Sequence, residues 1–126
     1  MDVYKTHGAF SWSELMTTDV DAAKGFYSQL FGWSARDMEM PNGNYTTVQV
    51  GEASVGGIMR IPAEAQGMPP SWGVYVTVDN VDETLARAEK LGGTVVMPPM
   101  DVPGVGRMAV VRDPQGATLS VITYSF

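Results

Sequence analysis

Apolar and polar residues alternate along several short segments of the chain, and two longer segments carry apolar residues at helical spacing. Alternation is typical of half-buried strands, and repeats of three and four residues are typical of amphipathic helices. In the first half the alternation predicts strands at 9–16, 33–38, 45–50 and 54–61. A helix is predicted from the apolar residues Ala22, Ala23, Phe26, Tyr27, Leu30 and Phe31. Thr18 or Asp19 can cap its start, Gly32 can end it, and Asn42-Gly43 predicts a hairpin turn.

The second half repeats this order. Strands are predicted at 72–78, 94–97, 107–112 and 117–124. Asn80 can cap a helix whose inward residues are Val81, Leu85, Ala88 and Leu91. The proline- and glycine-rich segment 98–106 is predicted to be a long loop, which could act as a lid.

The two halves match at a shift of about sixty residues, since Thr18-Asp19-Val20-Asp21 corresponds to Asp79-Asn80-Val81-Asp82. Each half is a strand–helix–three-strand (βαβββ) unit, at about 9–61 and 72–124, joined by a polar linker at 62–71. One unit alone leaves apolar surface uncovered, so two are expected to pair. We therefore predict an α+β fold and a single domain over 1–126.

The net charge is −6, with 8 Lys and Arg against 14 Asp and Glu. This balance argues against nucleic acid and acidic membranes as partners. The chain has no cysteine, which excludes disulfides and thiolate chemistry. Since no signal peptide or membrane-length apolar run is visible, we predict a cytoplasmic protein.

Three motifs carry a family resemblance: the segment from Glu14 to Trp33 with Phe26-Tyr27 and Leu30-Phe31-Gly32-Trp33, the segment from Val78 to Gly93, and Asp113-Pro114-x-Gly116-x-x-Leu119. Together they resemble the glyoxalase/bleomycin resistance/extradiol dioxygenase superfamily, also called vicinal oxygen chelate. The resemblance implies a cup-shaped mixed sheet with the helices outside, a small-molecule site in the cup, and a homodimer.

In metal-dependent members of this superfamily, four cup positions carry His, Glu or Gln. Matched by motif, the resemblance places them at Trp12, near Gly56-Gly57, at Gly73 and at Ser120. None of these is a usual metal ligand, and His7, the single histidine, is interpreted as a solvated terminal residue. We therefore expect no metal and no cofactor.

One alternative keeps a divalent metal ion. It would be bound by oxygen ligands from Glu14, Glu52 and Asp113, a donor set that favours Mg or Ca. A partner chain in the homodimer could also supply missing groups.

Glu14 is the most informative polar residue, because it shares a strand face with Phe10 and Trp12. A carboxylate between aromatic side chains loses hydration, so its pKa should rise. Three roles stay open for Glu14: a structural carboxylate, a hydrogen-bonding anchor for a ligand, or a catalytic acid or base.

Trp12, Trp72 and Tyr75 are aromatic candidates for an apolar pocket, although they could equally fill the cup or an interface. Thr118 and Ser120 share one face of the last strand and add hydroxyls; a nucleophilic role for Ser120 is not favoured, since it has no histidine partner. We predict a metal-independent protein of the bleomycin-resistance kind that binds an apolar or aromatic ligand. The alternative is a metal-dependent or Glu14-dependent lyase, isomerase or dioxygenase.

Overall fold

The computed structural model describes residues 1–40, 43–63 and 67–126. In chain order its elements are β1 (Phe10–Thr17), α1 (Val20–Phe31), β2 (Ser34–Met40), β3 (Gly43–Val50), β4 (Ala53–Arg60), β5 (Ser71–Thr77), α2 (Val81–Lys90), β6 (Thr94–Val102), β7 (Gly106–Arg112) and β8 (Thr118–Tyr124). The predicted α+β class and the repeated βαβββ order are confirmed.

The chain forms two compact units. The N-terminal unit is Trp12–Gly73, and the C-terminal unit is Val74–Phe126 together with Met1–Ser11. In the N-terminal unit the strand order is β2-β3-β4-β1, with β1 parallel to β4 and the other pairs antiparallel. The C-terminal unit has the order β5-β8-β7-β6, with β5 parallel to β8 and the other pairs antiparallel. Each unit therefore contains the same mixed sheet.

Helix α1 begins and ends at the residues that the sequence indicates. The Asp19 carboxylate accepts a hydrogen bond from the Ala22 amide at 3.0 Å, and Gly32 ends the helix with a left-handed φ of 74°. The helix packs on a core of Leu15, Val48 and Ile58 through partly buried side chains, and none of its residues is fully buried. Much aromatic surface of α1 therefore stays open.

Helix α2 buries more of itself. The Asn80 side chain caps it by accepting from the Glu83 amide at 3.0 Å. Its residues Val81 and Leu85 join a core with Val78, Ala109 and Val121. The prediction that Leu91 points inward is wrong: Leu91 is the C-cap residue just beyond the helix and is 69% exposed.

The predicted loop at 98–106 is also wrong, because β6 runs through this segment to Val102 and only 103–105 form a turn. β6 is the last strand in the order of its unit, where a missing amide hydrogen costs no ladder bond. Two register shifts against β7 accommodate Pro98 and Pro99. The lid hypothesis for this segment loses its structural basis.

The predicted Asn42-Gly43 turn falls partly on Pro41 and Asn42, and the linker at 62–71 includes 64–66; these positions lie outside the described residues. Within the described ranges, no helix has both the length and the apolar composition needed to cross a membrane.

Candidate functional site

The centre of the N-terminal unit's candidate site is Glu14. Its neighbour Leu15 points into the core beneath α1, so Glu14 points to the opposite face of the sheet. The Glu14 side chain is nevertheless only 6% exposed. Trp12 lies on the same strand face, two residues earlier. We call the sheet face that carries Trp12, Glu14, Tyr45 and Gly57 the Glu14 face.

A tyrosine that the sequence did not single out joins these two side chains. The Tyr45 hydroxyl donates to Glu14 Oε2 at 2.6 Å and accepts from Trp12 Nε1 at 2.9 Å. An O–H···O distance this short is typical of a bond to a carboxylate, which is stronger than a neutral hydrogen bond. The three side chains thus form a hydrogen-bonded chain, Trp12–Tyr45–Glu14, on this face.

Gly57 makes room for this chain. It lies directly beside Glu14 in the parallel β1–β4 pair. A Cβ atom built on Gly57 would overlap the Tyr45 hydroxyl and the adjoining ring carbons. The Tyr45 ring therefore occupies the space where any larger residue at position 57 would place its side chain.

The positions that the family resemblance marks as metal ligands do not fit a metal in this unit. Trp12 offers only an indole N–H donor, Gly57 has no side chain, and the phenol of Tyr45 fills the space between them. Gly73 also lacks a side chain. Among the described residues, no three His, Cys, Asp or Glu side chains come together as a metal site would require.

Two residues of the alternative oxygen site, Glu52 and Asp113, lie in different turns. The Asp113 carboxylate accepts from the amides of Gln115 and Ala117 in its turn, while Glu52 lies exposed in the β3–β4 turn. The Nδ1 atom of His7 accepts a hydrogen bond from the Asp79 amide at 3.0 Å. His7 is thus tied to the C-terminal unit instead of being simply solvated.

Three predicted ligand contacts belong to the C-terminal unit. Tyr75 is 5% exposed, and its hydroxyl donates to the sulfur of Met108 at 3.8 Å. Ser120 lies directly beside Tyr75 in the parallel β5–β8 pair, so these two residues are together. Thr118 is exposed at the start of β8, opposite Arg112.

Trp72 is not brought together with Trp12 and Glu14. Its Nε1 donates to the Tyr27 hydroxyl at 3.1 Å, and its ring lies 6.0 Å from that of Trp33. These residues line a groove of about 420 Å³ whose floor includes Ser13 and Gly56. Because Ser13 alternates with Trp12 and Glu14 on β1, the groove lies on the α1 side of the sheet. We call it the aromatic groove; it is lined by Ser13, Tyr27, Phe31, Trp33, Val48, Val55, Gly56 and Trp72.

Two ion-pair clusters set the electrostatics around the units' helices. In the N-terminal unit, hydrogen bonds from Thr46 and Lys24 hold the pKa of Asp37 below its ordinary value. In the C-terminal unit, the Arg107 guanidinium bonds Asp82 and Asp101 at 2.8–3.0 Å, and its bond lowers the pKa of Asp82. The carboxylates of both clusters are exposed, and each cluster joins elements within its own unit.

Sequence comparison places the chain among known proteins. Residues 9–121 match the family model of the Glyoxalase/Bleomycin resistance protein/Dioxygenase superfamily. The chain is 44% identical over 116 residues to the putative glyoxylase CFP32 of Mycobacterium tuberculosis, covering 91% of this chain and 44% of that protein. It is 39% identical over 127 residues to the anthracycline biosynthesis protein DnrV of Streptomyces peucetius, covering 90% and 46%. The chain spans less than half the length of these relatives.

Solved structures show the same fold. Methylmalonyl-CoA epimerase from Mycobacterium tuberculosis superposes with a TM-score of 0.61 at 13% identity, over 91% of this chain and 86% of that one. A variant of homoprotocatechuate 2,3-dioxygenase from B. fuscum superposes with a TM-score of 0.62 at 18% identity, over 93% and 32%. At these identities the similarity concerns the fold alone.

Proposed function

Because this chain belongs to the Glyoxalase/Bleomycin resistance protein/Dioxygenase superfamily, we propose that it binds a small apolar or aromatic molecule without a metal ion, on the Glu14 face. The observation that carries this proposal is the Trp12–Tyr45–Glu14 chain beside Gly57. Trp12 and Gly57 are positions that the family resemblance matches to metal ligands, and this chain offers aromatic rings and a hydrogen-bonded carboxylate beside them. An apolar surface with a few fixed polar groups is the usual composition of a small-molecule site.

Preorganisation favours binding at this face. Tyr45 is held by two hydrogen bonds, so a ligand meets a phenol and an indole whose orientations are already fixed. The buried Glu14 carboxylate accepts hydrogen bonds, which favours a ligand with a hydroxyl donor on an aromatic body. Tyr75, Thr118 and Ser120 stay predicted ligand contacts from the C-terminal unit.

One named relative supports an aromatic ligand, and the family resemblance supports a dimer. One of them is named for anthracycline biosynthesis, and anthracyclines are built on fused aromatic rings. The family resemblance also implies a homodimer. We therefore propose that it works as a homodimer.

The second candidate is an enzyme of the lyase, isomerase or dioxygenase type that uses Glu14 as acid or base. The short bond between Tyr45 and the buried Glu14 favours it, because such a pair can pass a proton between a phenol and a carboxylate. A relative named as a glyoxylase is consistent with enzymatic activity. The metal-dependent version is disfavoured by the misfit at Trp12 and Gly57.

Metal content and ligand-induced stabilisation test the proposal. Untagged protein should contain substoichiometric metal by elemental analysis, and 2-naphthol should raise its melting temperature equally with and without EDTA. At a hundredfold excess over Kd, binding stabilises a protein by about 2.7 kcal/mol. Stoichiometric metal whose removal abolishes the 2-naphthol effect would contradict the proposal.

Two variants separate binding from catalysis. Tyr45→Phe and Glu14→Gln should each weaken 2-naphthol binding by about tenfold or more, since a hydrogen bond to a charged group contributes about 1.5–3 kcal/mol. If Glu14→Gln instead abolishes a metal-independent turnover while leaving substrate affinity intact, the enzyme reading holds. Gln29→Ala, at an exposed polar position of α1, is the control for nonspecific effects.

A further inference from the structure

The aromatic groove has a rigid floor formed by adjacent strands. Gly56 is buried in β4, and a Cβ atom at this position would approach the Ser13 carbonyl oxygen to 2.9 Å. A glycine therefore allows β1 and β4 to stay close and leaves the floor flat. Val48 closes the floor as part of the core, so the groove is anchored to the best-packed part of the N-terminal unit.

The aromatic rings form two walls at a steep angle. The Tyr27 ring is nearly parallel to those of Phe31 and Trp33, with interplanar angles of 11° and 28°. The Trp72 ring stands at 80° to Tyr27 and 76° to Trp33. This corner presents ring faces and ring edges together, which suits a flat aromatic guest by offset stacking and edge-to-face contact.

The groove remains open to solvent although its surface is apolar. Phe31 is 59% exposed, Val55 43% and Trp72 41%. Its volume of about 420 Å³ lies within the range of small-molecule pockets. An apolar patch with this much solvent exposure is typical of a site that binds another molecule.

Hydrogen-bonding groups at the groove select the guest further. The Tyr27 hydroxyl oxygen accepts from Trp72, so its own proton is left to donate, and no described residue accepts it. The Ser13 hydroxyl likewise has no partner within the described ranges. Donors in an apolar setting favour a guest with an acceptor, such as a carbonyl oxygen. The net charge of −6 disfavours an anionic guest.

We propose that the aromatic groove is a second ligand site, separate from the Glu14 face, that takes a neutral, planar aromatic molecule carrying a carbonyl acceptor. The guest lies in the corner between Trp72 and the Tyr27–Trp33 stack, and its carbonyl accepts the Tyr27 hydroxyl proton. This site goes beyond the proposed function, because it uses the opposite face of the same sheet.

The three tryptophans give a direct test. Indole N–H signals in a nitrogen–proton NMR spectrum report Trp12 on the Glu14 face and Trp33 and Trp72 at the groove, once each is assigned through its Trp→Phe variant. Coumarin, a neutral two-ring carbonyl compound, should shift the Trp33 and Trp72 signals saturably. Naphthalene, which has two rings but no acceptor, should bind about fivefold more weakly, the effect of one ordinary hydrogen bond.

The Tyr27→Phe variant tests the assigned donor. It should remove the preference for coumarin over naphthalene, whatever the loss of the Trp72–Tyr27 bond does to the affinity for both compounds. Tyr4→Phe, which removes a phenol hydroxyl in the C-terminal unit, is the matched control and should keep the fivefold preference. An unchanged preference in Tyr27→Phe would overturn the proposal.

Other outcomes distinguish this proposal from the proposed function. If coumarin shifts only Trp12, or shifts no indole signal up to its solubility, the groove is not a ligand site. If the Trp33 and Trp72 signals change with protein concentration and not with coumarin, the groove is an interface between copies, which also overturns the proposal. If 2-naphthol fails to move Trp12 while coumarin moves Trp33 and Trp72, the proposed function fails and the groove site stands.

Discussion

The two units use the same strand pairing to hold different chemistry at equivalent positions. Glu14 lies beside Gly57 in the parallel pair of the N-terminal unit, and Tyr75 lies beside Ser120 in that of the C-terminal unit. On the next strand, Thr47 is the partner of Gly57, and Val110 is the partner of Ser120. Tyr45 lies two residues before Thr47 in β3, and Met108 lies two residues before Val110 in β7. Tyr45 and Met108 therefore occupy equivalent positions in the two units.

In both units these equivalent side chains are bonded to each other. Tyr45 donates to the Glu14 carboxylate at 2.6 Å, whereas Tyr75 donates to the Met108 sulfur at 3.8 Å. A carboxylate is a strong acceptor and a thioether a weak one. The two units thus share this pairing, but its acceptor is a charged group in the N-terminal unit and a thioether in the C-terminal unit. This difference is why we assign the polar anchor of a ligand to the N-terminal unit.

The two helices also differ in how deeply they are buried. One leucine from each helix tests the effect of this difference on stability, which is the largest effect we expect. Leu85 of α2 is 6% exposed in the core, while Leu30 of α1 is 56% exposed. Leu85→Ala should lower the free energy of unfolding by about 2–5 kcal/mol, because it leaves a cavity. Leu30→Ala should cost less than about 1 kcal/mol. Urea denaturation measures both, and equal losses would show that α1 is as tightly packed as α2.

Gly57 and Gly73 stand at positions that match the family's metal ligands, and substituting each one gives the next largest expected difference in stability. Gly57→Ala should destabilise the protein by about 1–3 kcal/mol, because the new methyl group displaces Tyr45 from its bonds. Gly73→Ala should be neutral or stabilising by up to about 1 kcal/mol, since a Cβ there meets nothing within 4 Å. Urea denaturation measures both changes in stability, and the Trp12 indole signal reports whether Tyr45 has left its hydrogen bond to Trp12.

A double variant checks the cause of the Gly57 effect. If Tyr45 is the obstacle, the losses from Gly57→Ala and Tyr45→Ala should be less than additive, because the second substitution removes the overlap. Strict additivity would mean that Gly57 matters for the backbone of β4 and not for Tyr45.

Much of the fold could be predicted because its signals are local. Asp19 and Asn80 cap their helices, and Gly32 ends the first, as their positions in the sequence indicate. The strand at 98–102 was missed because proline argues against strands, and only the edge position of β6 makes it acceptable there. Leu91 fits the helical period of α2 but falls one residue after its end.

The candidate site was only half predictable. Alternation along β1 correctly pairs Trp12 with Glu14 on one face, since this needs no knowledge of other strands. Tyr45 is 31 positions from Glu14, and only the β3–β4–β1 register brings the two together. Trp72 could have been separated from them, because it alternates with Gly73 and Tyr75 and so shares the face of Val74.

The smallest predicted effect compares the exposed ion pairs of the two units. The pKa of Asp37 is lowered by Thr46 and then Lys24, and that of Asp82 by Arg107. A carboxyl whose folded pKa lies below its unfolded value stabilises the fold above the unfolded pKa, and loses this contribution as pH falls through the folded pKa. Both contributions should therefore be complete at neutral pH and disappear below about pH 4.

Carboxyl chemical shifts followed from pH 7 to pH 2 measure both groups directly. Asp37 and Asp82 should titrate below the ordinary Asp value of 3.8. Thr46→Val should raise the midpoint of Asp37 and leave that of Asp82 in place, because Thr46 Oγ1 donates to Asp37 at 2.7 Å. The Asp82 carboxyl depends instead on Arg107, so Arg107→Gln should raise its midpoint alone. If either substitution moved both midpoints together, the two ion-pair clusters would be coupled, and the units would not be electrostatically independent.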